Sequence, residues 1–150
     1  MATVQEIMSS NIISVKAESS AQAVADLITQ HQIHAVPIVN ELFELQGIIA
    51  EGDFFYGHTG PVSMTSYLMN RLSSKKGKID ETKSLSEITA GELMTTPCLF
   101  VSPTMTAEEA GCLCVEKSFN TLPVVDESKT LVGIVTAHDI LKSLLSQCKQ

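Results

Sequence analysis

A hydroxyl and a carboxylate three residues apart, Thr136 and Asp139, close the segment Gly133-Ile134-Val135-Thr136-Ala137-His138-Asp139. The apolar residues before Thr136 predict an inner strand, and Asp139 falls where the next helix would start, so both side chains project from one strand-to-helix junction. A carboxylate placed there can accept hydrogen bonds from both hydroxyls of a vicinal diol, and the threonine hydroxyl can join the same network. Gly133 lets backbone or ligand approach closely. Main-chain amides at a helix start can receive negative charge. This is chemistry for gripping a ribose beside a phosphate rather than for breaking a bond. The plainer reading makes Asp139 and its counterpart Asp53 helix caps, worth about 1 kcal/mol each.

Asp53 is a counterpart because the chain repeats itself. Residues 3–55 align without a gap on residues 89–141 at an offset of 86 (89 − 3 = 86). Over those 53 positions thirteen pairs are identical, among them Thr3/Thr89, Glu6/Glu92, Met8/Met94, Pro37/Pro123, Gly47/Gly133, Ile48/Ile134 and Asp53/Asp139. Average residue usage would give roughly three by chance, so the chain is a duplication. The first copy departs from the second at its junction, Gly47-Ile48-Ile49-Ala50-Glu51-Gly52-Asp53. It lacks the hydroxyl of Thr136, and Glu51 adds a negative charge. The Asp53 site is therefore expected to be weaker, empty or suited to a less anionic ligand.

The elements that must hold each junction can be read in parallel. Thr3-x-x-Glu6 and Thr89-x-x-Glu92 are capping boxes opening short helical turns that end near Met8 and Met94. Ile12 to Val15 and Cys98 to Val101 read as short strands. Ser20 and Thr106 are candidate N-caps for main helices of about 21–31 and 107–118. Val24, Leu27 and Ile28, and likewise Ala110, Leu113 and Cys114, give those helices a core face. Two apolar runs follow in each copy, 34–39 with 45–50 and 120–125 with 131–136, across hairpin-length loops. A last helix starts near Asp53 or His138. Residues 56–88 match nothing in the repeat: Gly57, Gly60 and Pro61 break the chain, and Met64, Tyr67, Leu68 and Leu72 have helical spacing. Residues 73–82, with Lys75, Lys76 and Lys78, read as a solvated loop or a cationic flap over a phosphate.

Composition removes several function classes. The 150 residues carry a formal net charge of −7, and Arg71 is the only arginine, so the basic footprint that nucleic-acid binding needs is missing. No apolar run reaches the 18 or so residues needed to cross a bilayer, and the first residues are neither basic nor signal-like. A cytoplasmic protein with no membrane partner is expected. Cys98, Cys112, Cys114 and Cys148 have neither zinc-site nor disulfide-framework spacing, which predicts reduced thiols and no metal.

The run Leu122-Pro123-Val124-Val125 followed by Gly133-Ile134-x-Thr136-x-x-Asp139, set in register with the first copy, resembles a cystathionine β-synthase (CBS) domain pair, or Bateman module. The resemblance covers about 106 of the 150 residues (2 × 53) and leaves the insert unmatched. It implies an α/β (α+β) fold of two β-α-β-β-α repeats with pseudo-two-fold symmetry: one motif over 3–55, an insert over 56–88 and a second motif over 89–145. It also implies ligand sites in the seam between the copies. The Asp139 site would draw on Thr136, Asp139, Thr95, Leu99, Phe119, Asn120, Leu122 and Ile134, with His34 serving the phosphate end. The Asp53 site would draw on Asp53, Ser9, Ile13, Ile33, Val36 and Ile48, with His138 at its phosphate end. Core or seam roles are the plainer reading for the apolar residues and both histidines.

The function so implied is a regulatory module without a catalytic cofactor. It binds an adenosyl ligand (AMP, ADP, ATP or S-adenosylmethionine), forms a homodimer and acts on an effector protein in another chain. The alternatives are a dimerisation scaffold with empty pockets and a nucleotide-processing enzyme. The sequence has no P-loop, no Gly-x-Ser-x-Gly and no acid–base pair recurring with the repeat, which argues against catalysis.

Overall fold

The computed structural model describes residues 2–56 and 84–148. The expected insert helix and the loop of residues 73–82 lie outside them. Helices α1 (Val4–Ile7), α2 (Ala21–His31) and α3 (Asp53–Tyr56) and strands β1 (Ala35–Val39) and β2 (Leu45–Ala50) come from the first copy. Helices α4 (Ala90–Leu93), α5 (Ala107–Lys117) and α6 (Ala137–Cys148) and strands β3 (Thr121–Val125) and β4 (Leu131–Thr136) come from the second. β1 pairs with β2 and β3 with β4, giving two small antiparallel sheets.

The helix starts follow their caps. Ser20 Oγ accepts from the Ala23 N–H at 3.1 Å, and Thr106 Oγ1 from the Glu109 N–H at 3.2 Å. At α4 the capping box closes from both sides, with Glu92 N–H on Thr89 Oγ1 and Thr89 N–H on Glu92 Oε2, each at 3.2 Å. α2 and α5 end on left-handed residues, Gln32 at φ 53° and Ser118 at φ 59°. Glycine takes this conformation without the clash that a Cβ meets there. Gln32→Gly and Ser118→Gly should each raise stability by about 0.5–1 kcal/mol, read as a higher urea midpoint at unchanged slope.

The expected strands over 12–15 and 98–101 shrink to single parallel bridges, Val15 with Ile38 and Val101 with Val124. The cause is one residue in each copy. Val15 donates to the Pro37 carbonyl and accepts from the Val39 N–H; Val101 does the same between Pro123 and Val125. Extending either ladder towards the N-terminus would require an N–H from Pro37 or Pro123, which proline lacks.

The compact units are not the sequence repeats. Among the described residues one unit is drawn from 2–12, 42–45 and 99–148, and the other from 13–41, 46–56 and 84–98. They are called the Asp139 unit and the Asp53 unit. In the Asp139 unit the leader of the first copy docks on the body of the second: Val4 N–H bonds the Met105 carbonyl at 2.8 Å, Gln5 N–H the Pro103 carbonyl at 2.9 Å, and Ala107 N–H the Ala2 carbonyl at 2.9 Å. In the Asp53 unit the leader of the second copy docks on the body of the first by the matching bonds, Ala90 to Ser19 at 2.6 Å, Gly91 to Ala17 at 2.9 Å and Ala21 to Ile88 at 2.7 Å.

The cores record the same exchange. Val4 is buried with Val101, Ala110, Cys114, Leu122, Val124, Val135 and Ile140. Ile88, Ala90 and Leu93 are buried with Ala21, Val24, Ile28, Val36, Ile38 and Ile49. A four-residue helix has no core of its own, so each leader gains its stability by covering a body. The tip of the first hairpin joins the Asp139 unit through Leu45 N–H to the Lys129 carbonyl at 3.1 Å and Leu131 N–H to the Phe43 carbonyl at 3.0 Å.

Candidate functional site

At the junction of β4 and α6, Thr136 and Asp139 cap each other. The Thr136 N–H donates to Asp139 Oδ2 at 3.0 Å, and the Asp139 N–H donates to Thr136 Oγ1 at 3.1 Å. The capping role and the ligand role are compatible. A carboxylate offers about four lone-pair positions, and the threonine hydroxyl keeps its own hydrogen. Both side chains are half-buried, a setting in which charge-assisted hydrogen bonds are stronger than in open water.

Behind the junction the leader of the first copy runs against β4. Ser9 and Ile134 exchange both backbone bonds, at 2.8 and 2.9 Å. Gly133 explains the close approach: a Cβ at that position would collide with the Met8 thioether and stand 3.1 Å from the Ser9 carbonyl oxygen. The glycine therefore serves the neighbouring backbone. The Ala137 N–H bonds the Asn120 carbonyl at 2.8 Å, which ties the first residue of α6 to the entry of β3.

The Asp53 junction repeats the backbone pattern without the hydroxyl. Ala50 N–H donates to Asp53 Oδ2 at 2.8 Å, but no hydroxyl at position 50 can receive the Asp53 N–H. The helix starts later accordingly, at Asp53 rather than at the position matching Ala137. Glu51 N–H bonds the His34 carbonyl at 3.0 Å, and Glu51 Oε1 lies 2.6 Å from His34 Nδ1. Thr95 and Ile48 exchange backbone bonds at 2.9 and 3.2 Å.

The leader exchange redistributes the residues named from sequence. Ser9, grouped there with Asp53, is bonded to Ile134 of the Asp139 unit; Thr95, grouped with Asp139, is bonded to Ile48 of the Asp53 unit. Leu99, Phe119, Asn120, Leu122 and Ile134 share the unit of Thr136 and Asp139, and Ile13, Ile33, Val36 and Ile48 that of Asp53. Leu122 and Val36, at 1% and 0% exposure, are core side chains. Phe119, beside Asn120 in the chain, is 37% exposed. His34 and Asp139 fall in different units, and within its own unit the imidazole is engaged by Glu51. His138 is exposed on α6 next to Asp139. Sequence reasoning noted Glu51 for its charge but not its pairing with His34. The signal was present: Glu51 and His34 stand where the second copy has uncharged Ala137 and Asn120.

Burial pushes the Cys98 thiol up to about 11 and raises that of Cys114, so both are held as neutral thiols near pH 7 and are poor nucleophiles. Among the described residues no group of His, Cys, Asp and Glu is gathered as a metal would need, and no helix is long and apolar enough to cross a membrane.

The chain belongs to the CBS domain family, whose model matches residues 4–57 and again residues 90–146. It is 31% identical over 140 residues to the uncharacterized protein MK0525 of Methanopyrus kandleri, spanning 93% of this chain and 61% of that one. It is 26% identical over 146 residues to the CBS domain-containing protein YhcV of Bacillus subtilis, spanning 97% of this chain and 88% of that one. The crystal structure of CBSX2 in complex with AMP superposes with a TM-score of 0.75 and 25% identity over 100% of both chains. The CBS domain pair of MJ0100, in complex with 5′-methylthioadenosine and S-adenosyl-L-methionine, gives a TM-score of 0.71 at 23% identity over 98% of both chains, a likeness of fold.

Proposed function

We propose that this chain is a regulatory module that binds an adenosyl ligand, with the ribose held at the β4–α6 junction by Asp139 and Thr136. The reading rests on one observation: a half-buried carboxylate and hydroxyl, fixed by their own reciprocal bonds at 3.0 and 3.1 Å, stand at a strand-to-helix junction with spare acceptor capacity. The AMP bound by CBSX2, which shares the fold along the whole chain, supports it. A ligand there acts by favouring one arrangement of the chain over another, and an effector protein reads the difference. No chemical step is needed, so the module binds without turnover. A cytoplasmic location and a homodimer complete the reading. Leu141 and Leu145, one turn apart on α6 and each 54% exposed, support a second copy as what covers that face.

Thermal unfolding with AMP, ADP, ATP, S-adenosylmethionine and guanine nucleotides tests this. A ligand at 100 times its dissociation constant adds about 2.7 kcal/mol, a shift of roughly 5–10 °C for a domain of this size. Asp139→Asn keeps a side-chain oxygen for the Thr136 N–H and removes the charge, so its own melting temperature should change little while the AMP shift collapses. An undiminished AMP shift in Asp139→Asn would assign that residue to capping alone. No shift with any adenosyl ligand would leave the dimerisation scaffold as the function.

A further inference from the structure

The two junctions share a backbone and differ in charge. After β4 the amide of Ala137 bonds the carbonyl of Asn120, and both side chains are uncharged. After β2 the same bond joins Glu51 to His34, and their side chains meet at 2.6 Å. Glu51 stands two residues before Asp53, whose Oδ2 is drawn to the Ala50 N–H, so two carboxylates sit within one turn of chain. The imidazole beside them is engaged by one of the two. Glu51 and His34 are 53% and 66% exposed, within reach of an incoming group.

We infer that the Glu51–His34 pair sets the charge class of ligand at the Asp53 junction: a nucleoside whose 5′ substituent is uncharged or cationic, a thioether or a sulfonium, in preference to a 5′-phosphate. This rests on the adenosyl-binding reading and deepens it. A phosphate would bring two negative charges against Glu51 and Asp53, and the Nδ1 edge of the imidazole beside them is already held by Glu51. A thioether leaves the pair intact. A sulfonium with its ammonium group finds in Glu51 a partner for a charge-assisted hydrogen bond. The absent hydroxyl at Ala50 makes the grip on ribose weaker, so the charge of the 5′ group decides occupancy. The Asp139 junction, with Ala137 and Asn120 in the matching places, carries no such filter.

Calorimetric titration of the full chain with AMP, 5′-methylthioadenosine and S-adenosylmethionine tests the assignment. In wild type, AMP at a concentration that fills the Asp139 junction alone should leave one site per chain for 5′-methylthioadenosine. In Asp139→Asn, which silences the other junction, 5′-methylthioadenosine or S-adenosylmethionine should bind at least about tenfold more tightly than AMP, and adding Glu51→Ala should bring AMP to within about threefold. Equal affinities in Asp139→Asn, or a ratio that Glu51→Ala leaves unchanged, would overturn the inference. Binding of AMP by wild type with no binding of any probe by Asp139→Asn would also overturn it, while the proposed function stands. No binding of any probe by wild type would remove both. The wild-type stoichiometry keeps the test decisive even if a variant folds poorly.

Discussion

Leu93→Ala should cost about 2–5 kcal/mol, and the loss should appear in the copy of the repeat that does not contain it. Leu93 is 0% exposed and packs in the core with Val24, Ile28, Val36, Ile38 and Ile49, all from the first copy. Truncating it opens a cavity against the core of the first copy that the short helix α4 cannot close, because its first two residues are pinned by the Ala90–Ser19 and Gly91–Ala17 bonds and Thr95, just past its end, by its bonds to Ile48. Amide hydrogen exchange checks the location. Protection should fall first in α2, β1 and β2, while α5, β3 and β4 keep theirs. Val4→Ala, in the other leader, should unprotect α5, β3 and β4. Protection lost instead within each leader's own copy would show that the leaders are not exchanged.

The second large effect is expected at Gly47. A Cβ there would lie 2.7 Å from the Met94 sulfur and 2.8 Å from the Thr95 carbonyl oxygen. The sulfur ends a flexible side chain and can move; the carbonyl cannot, because it accepts the Ile48 N–H at 3.2 Å. Gly47→Ala must therefore part the Ile48–Thr95 pair or bend β2, at a cost of about 3 kcal/mol, the upper part of the overpacking range. Gly133 makes the control. Its worst contact is the Met8 thioether, with the Ser9 carbonyl at 3.1 Å, so Gly133→Ala should be largely rescued by Met8→Ala. Met94→Ala should rescue Gly47→Ala far less. Urea unfolding of the four single and two double variants gives both coupling energies directly. Equal rescue at the two positions would show that the Thr95 carbonyl is not the obstacle.

These two variants mark where sequence reading ran out. The capping boxes, the faces Val24-Leu27-Ile28 and Ala110-Leu113-Cys114, and the run of two strands and a helix closing each copy are all local matters of hydrogen bonding and periodicity, so they were legible. The short strands were overread. Apolar composition at 12–15 and 98–101 signals extended chain, but ladder length depends on the partner strand's donors, and Pro37 and Pro123 supply none. Thr136 and Asp139 were legible as a pair because their contact spans three residues of chain. The partners of Ser9 and Thr95 were not, because those contacts cross from one copy to the other.

By itself the sequence determined that the chain is a duplicated α/β unit of the CBS kind, that Thr136 and Asp139 stand together at one junction, and that Ala50 and Glu51 set the other apart. Tertiary structure alone decided which body each leader covers, and with it that Ser9 lies beside the Asp139 junction and Thr95 beside the Asp53 junction. The physical reason lies in the duplication. The two bodies offer matching acceptors, Met105 and Pro103 on one and Ser19 and Ala17 on the other, to leaders that themselves match. Residue pattern cannot tell a leader's own body from its neighbour's, and only the path of the folded chain selects between them.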